Sequence, residues 1–82
     1  MKLFKKKTPT DAVPVPIRDE SIRLGQFLKL ANLVDVGSEA KLVLAEGVVS
    51  VNGEIETRRG RQLHVGDVVE VGGLTSIVVH EE

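Results

Sequence analysis

Cysteine, tryptophan and tyrosine are all missing from this 82-residue chain, and only two aromatic side chains, Phe4 and Phe27, are present. Without cysteine there are neither disulfides nor thiolate metal sites, so the chain reads as intracellular, with the cytoplasm as the expected compartment. Without tyrosine or tryptophan, and with Phe27 wanted for the core, a nucleic acid would find no aromatic platform for its bases. The core must be aliphatic and modest, because a chain of this length forms one domain and buries only about 60% of the surface its unfolded form exposes. Long apolar runs are lacking too. The opening MKLFKKK is basic like the first segment of a signal peptide, but no apolar stretch of about 7 to 15 residues follows it, which argues against secretion and against a membrane span.

Proline is confined to Pro9, Pro14 and Pro16, and the same opening segment carries Lys2, Lys5, Lys6 and Lys7. Residues 1–15 are therefore expected to be a flexible basic N-terminal arm, with the domain occupying 16–82. Net charge gives no hint of a polyanion partner. The whole chain stands at −1, and from residue 21 onward the acids outnumber the bases. Any surface attractive to a polyanion has to come from the way charges are segregated.

From Ser21, a plausible N-cap, Leu24, Phe27, Leu28 and Ala31 recur at helical spacing, so SIRLGQFLKLANL is expected to be a helix of about three turns. Gly25 within it weakens the helix by roughly 1 kcal/mol relative to Ala and hints at a backbone passing close by. SEAKLVLAEG repeats the pattern with Ala40, Val43 and Leu44, and Gly47 is the expected stop. The two helices make a helical hairpin. After Gly47 the period changes to 2. VVSVNGEIET is two β-branched runs around Asn-Gly, the strongest short hairpin signal. A strict two-residue turn sets Glu54 and Glu56 across from Val51 and Val49 and leaves Ile55 with Ser50. Either a bulge shifts that pairing or one face is only half buried. QLHVGDVVEV and LTSIVVH supply the remaining strands, giving an α+β domain with the helical hairpin packed on a small, mostly antiparallel sheet.

The charges sort onto this scaffold. Arg23, Gln26 and Lys29 trace a polar stripe on the first helix. On the second, Lys41 points away from Glu39 and Glu46 and has small neighbours, Gly37, Ser38 and Ala45, so a phosphodiester could approach its ammonium. Arg58, Arg59 and Arg61 surround Gly60 on a loop, where guanidinium groups can offer several donors to phosphate oxygens.

IRLGQFLKLANLVDVGSEAKLVLAEGVVSVNGEIETRRGRQLHVGDVVEV resembles the S4 domain, an RNA-binding module, and in particular its small stand-alone bacterial members of the YbcJ type. The most specific stretches are GSEAK, VNG, ETRRGR and the GD before a β-branched run. The resemblance implies the αL fold, with structured RNA bound across the second helix and adjoining loops. It puts Arg23, Lys29, Ser38, Lys41, Arg58, Arg59 and Arg61 on or near the RNA face, and it gives Gly47, Asn52, Gly53, Gly66 and Asp67 structural work at the helix stop and turns. The chain departs from the family at Gly25, where an aspartate is common, and at Val36 and Gly37, where a Ser-Arg pair is frequent.

The expected partner is a structured RNA, ribosomal RNA among the candidates, bound by a monomer through phosphates and 2′-hydroxyls. No cofactor, metal, membrane or small-molecule substrate is expected. His64 and His80 lack a cysteine partner, and HVGD reads as a turn rather than an acid–base pair, which argues against an enzyme. The alternative is a protein–protein interaction module of the same fold, its arginines pairing with a partner's carboxylates.

Overall fold

A computed structural model describes residues 12–35 and 37–82 of the chain. In chain order the elements are β1 (Val13–Ile17), β2 (Ser21–Arg23), α1 (Leu24–Leu30), α2 (Gly37–Ala45), β3 (Val49–Val51), β4 (Glu54–Ile55), β5 (Gln62–His64), β6 (Val68–Val71) and β7 (Leu74–His80). Five strands form one sheet in the order β1-β7-β6-β3-β4, and β2 and β5 pair separately. Every pairing is antiparallel except β1 with β7. The expected α+β class, two helices on a mostly antiparallel sheet, is therefore what the chain adopts.

One aliphatic cluster with a single aromatic joins the layers. Leu24, Phe27 and Leu28 of α1, Ala40 and Leu44 of α2, and Val49, Val51, Leu63, Val69 and Val78 of the strands are all buried in it. Each of the larger side chains contributes about 1.5–3 kcal/mol by leaving water. The expected stripe on each helix thus faces the core, although Ala31, just past the end of α1, and Val43 on α2 are only partly covered.

Three boundaries differ from the sequence reading. First, β1 begins at Val13, so the expected border between arm and domain at residues 15 and 16 falls inside a strand. VPVPI alternates, with Val15 and Ile17 buried and Pro14 and Pro16 exposed. Proline is tolerated there because β1 is a sheet edge. The lysine-rich part of the expected arm, residues 1–11, lies outside the described residues. Second, Ser21 is no N-cap. It pairs with His64 in the β2–β5 ladder, and the cap position of α1 is Arg23, whose side chain makes no capping bond. Third, α1 stops at Leu30 because Asn32 turns left-handed (φ 61°). The Asn32 N–H then donates to the Lys29 carbonyl (3.0 Å) and the Leu33 N–H to that of Leu28 (2.9 Å), the Schellman closure. Pairing and closure together reduce the helix from three turns to about two.

The β3–β4 hairpin resolves the register. Val51 lies opposite Glu54 and Ser50 opposite Ile55, with no bulge, and the Glu56 N–H continues the ladder to the Val49 carbonyl at 2.9 Å. Ile55 is accordingly exposed. Glu56, two residues on from Glu54, falls on the face of Val49 and Val51 and is buried.

Candidate nucleic-acid interface

The arginine loop is held from two directions. From below, Glu56 takes hold of two arginines. Its Oε2 accepts from the Arg58 backbone N–H (3.0 Å) and Nε–H (3.1 Å). Its Oε1 accepts from Arg61 Nη1 (3.0 Å) and, more weakly, from Arg58 Nη2 (3.4 Å). A buried carboxylate without partners would be costly, but this one is saturated with charged donors. They hold its pKa down at about 2 from an ordinary 4.5, with the Arg58 side-chain bonds the largest cause, the Arg58 N–H and Arg61 next, and burial opposing them. The carboxylate in turn raises the pKa of Arg58.

From the side, the loop is bonded to α1. The Leu24 N–H donates to the Arg61 carbonyl (2.8 Å) and the Gly25 N–H to the Arg59 carbonyl (2.9 Å). Two of the donors left open at the helix start are thus satisfied by backbone carbonyls instead of a side chain. The approach favours a glycine. A Cβ on Gly25 would lie 3.2 Å from the Cβ of Arg59, tighter than ordinary packing. The backbone that Gly25 foreshadowed is therefore the arginine loop itself.

Where loop and helix meet there is an open cleft of about 380 Å³. Arg23, Gln26 and Lys29 line it from the first-helix stripe, Ala40 from α2, and Arg59 and Gly60 from the loop. No acidic side chain is among the lining residues. Arg23, Lys29 and Arg59 are all exposed, so their charges meet solvent around a concave floor. The acid-free lining is the local segregation that the net charge concealed.

The seven residues expected on the RNA face therefore fall into three groups. Arg23, Lys29 and Arg59 share the cleft. Arg58 and Arg61 are engaged by Glu56, the Arg58 side chain still 76% exposed and that of Arg61 31%. Ser38 and Lys41 are exposed on α2 and are not among the cleft-lining residues, although Ala40 between them is. Glu56 was missed as a functional candidate. Its signal was present in the strict hairpin register, which puts it across from Val49 and hence under the loop.

The residues assigned structural work do it at a second corner. Asn52, left-handed at φ 52°, accepts the Val68 N–H on Oδ1 (2.9 Å) and donates from Nδ2 to Asp67 Oδ1 (3.0 Å). Asp67 Oδ2 accepts the His64 backbone N–H at 2.8 Å, so HVGD is a turn. Gly47, Gly53 and Gly66 all have positive φ. No three His, Asp or Glu side chains among the described residues gather as metal ligands would, and none of the described helices is long and apolar enough to cross a membrane.

The S4 domain family profile matches residues 15–79. A Bacillus subtilis (strain 168) protein named "Probable ribosome maturation protein RlbA" is 53% identical over 68 residues, covering 83% of this chain and 96% of its own. The Escherichia coli (strain K12) "Putative RNA-binding protein YbcJ" is 36% identical over 58 residues, 71% of this chain and 83% of its own. The solution structure of YbcJ from E. coli, described as revealing an αL motif involved in RNA binding, superposes with a TM-score of 0.59 at 26% identity, over 96% of this chain and 99% of that one.

Proposed function

The chain belongs to the S4 domain family, and from that premise we propose that it is a non-catalytic protein that binds structured RNA in the cytoplasm, with ribosomal RNA as its target. The observation that carries the reading is the convergence of Arg23, Lys29 and Arg59 on one acid-free cleft between the two helices and the loop. Three exposed cations around a concavity suit a curved, phosphate-bearing backbone better than a flat or apolar partner. With no aromatic side chain at the cleft, recognition rests on phosphates and 2′-hydroxyls, hence on RNA shape. The ribosomal target is supported by the name of the B. subtilis relative, and Lys41 and Ser38 extend the contact along α2.

The test is titration of the intact protein with a hairpin RNA over a range of salt, beside the Arg23→Gln/Lys29→Gln/Arg59→Gln variant. Binding whose salt slope falls in the variant supports the reading. Crosslinking in cells followed by sequencing of the attached RNA identifies the target, and enrichment of no RNA there, with co-purification of a protein partner, favours the protein-interaction alternative.

A further inference from the structure

The three loop arginines look equivalent in the sequence, but the structure divides them. Arg58 and Arg61 converge on one buried carboxylate through four bonds of 3.0–3.4 Å, one of them from a backbone N–H. Arg59, between them in the chain, has its carbonyl on the Gly25 N–H and its side chain at the cleft. A flexible loop of three arginines would be a sticky, geometry-free polyanion trap. This loop is closed before any ligand arrives, by an anion that the protein supplies itself.

We infer that Glu56 is a positioning residue: by taking Arg58 and Arg61 as fixed partners, it closes the loop so that Arg59 faces the cleft and the loop carbonyls hold the start of α1. The inference rests on the RNA-binding reading and adds a source of discrimination to it. An arginine whose backbone is held in advance loses less freedom on binding a rigid RNA, and it fits a flexible strand no better than a rigid one. Glu56 therefore favours structured over unstructured RNA while lowering the total positive charge.

That combination separates positioning from simple electrostatics, because the two predict opposite results. Removing a negative charge by Glu56→Gln should, on charge alone, tighten binding to every RNA and steepen the salt dependence. If Glu56 positions the loop, the variant loses preference for a hairpin RNA over an oligouridylate of equal length by about tenfold, the low end of what one charge-assisted hydrogen bond contributes. A charge-neutral companion, Arg58→Lys/Arg61→Lys, keeps every charge but cannot form the same planar fork. It should lose the same preference.

The clamp itself is read without RNA. In the wild-type protein the Arg58 Nε–H, bonded to Glu56, should exchange with solvent more slowly than the Arg59 Nε–H, and Glu56→Gln should erase the difference. Circular dichroism establishes that each variant is folded. Equal exchange at Arg58 and Arg59 in the wild-type protein would overturn the inference. So would a hairpin preference unchanged in both variants, with the functional reading left standing. A wild-type protein that binds neither RNA would remove the functional reading and this inference with it.

Discussion

Arg58 and Arg59 are neighbours in the chain and both are exposed, yet they belong to different parts of the molecule. The first closes downward onto a buried carboxylate at 3.1 Å, and the second stands at an open cleft beside Arg23 and Lys29. One side of the loop has its counter-charge inside the protein. The other has none among the residues that line it. A run of arginines therefore does not measure the charge a protein offers a partner, since three guanidiniums above one carboxylate leave two positive charges, and the geometry decides where they are presented.

The comparison is broken most directly by emptying the open side. Changing Arg23, Lys29 and Arg59 together to glutamine should reduce the slope of log affinity against log salt by about 2 to 3, at roughly 0.7–0.9 per lost phosphate contact. Thermal stability should hardly move, because none of the three side chains is buried. On the closed side the balance shifts to stability. Arg61→Met removes the 3.0 Å donor from Glu56 Oε1, so stability measured by urea unfolding should fall by about 1–3 kcal/mol, the penalty for a buried acceptor left short of a partner. The salt slope should fall by less than in the triple variant.

A pH titration sharpens the contrast. Because the folded-state pKa of Glu56 is lowered to about 2 from 4.5, its ionised form stabilises the fold above pH 4.5, and that contribution disappears as pH falls toward 2. The stability difference between the wild-type protein and Glu56→Gln should therefore be full at pH 6 and shrink through this acid window. A difference that grew on acidification would contradict the clamp.

At the seam between the two sides, Gly25→Ala sets a helix-propensity gain of about 1 kcal/mol against a contact with Arg59 Cβ that is too close at 3.2 Å. The loop backbone should yield by a few tenths of an ångström, leaving the melting temperature nearly unchanged and weakening RNA binding severalfold. The smallest effect is expected at Lys41. Lys41→Gln should lower the salt slope by no more than one contact, about 0.9, and its loss should add to that of the cleft variant if α2 grips the RNA separately.

Much of this arrangement was readable in advance, for local reasons. Helix periodicity marked Leu24, Phe27, Leu28, Ala40 and Leu44, and Asn-Gly and the glycine stops marked the turns. Gly25 even announced the close approach. What escaped depended on distant pairing. β1 and β2 find their partners in β7 and β5, far along the chain, so residues 13–15 read as part of the arm and Ser21 as a cap. The site divides in the same way. The polar stripe gave Arg23 and Lys29, and the cluster gave Arg59. The engagement of Arg58 and Arg61 turned on whether Glu56 faced in or out, a choice of hairpin register that alternation alone left open.

The prolines of β1 have a further consequence, for the solubility of a valine-rich sheet. Ile17 turns its carbonyl toward the β7 side, where it accepts the Glu81 N–H at 2.8 Å. By alternation along the strand, Pro14 and Pro16 turn their backbones outward. A strand arriving from another molecule would meet two carbonyls there and no N–H to complete a ladder. At the opposite edge β4 offers only Glu54 and Ile55, too short a template to recruit a neighbour. Among the described residues both margins of the sheet are thus poor seeds for fibril growth, and substituting valine for Pro14 and Pro16 should make the β1 margin more prone to aggregation.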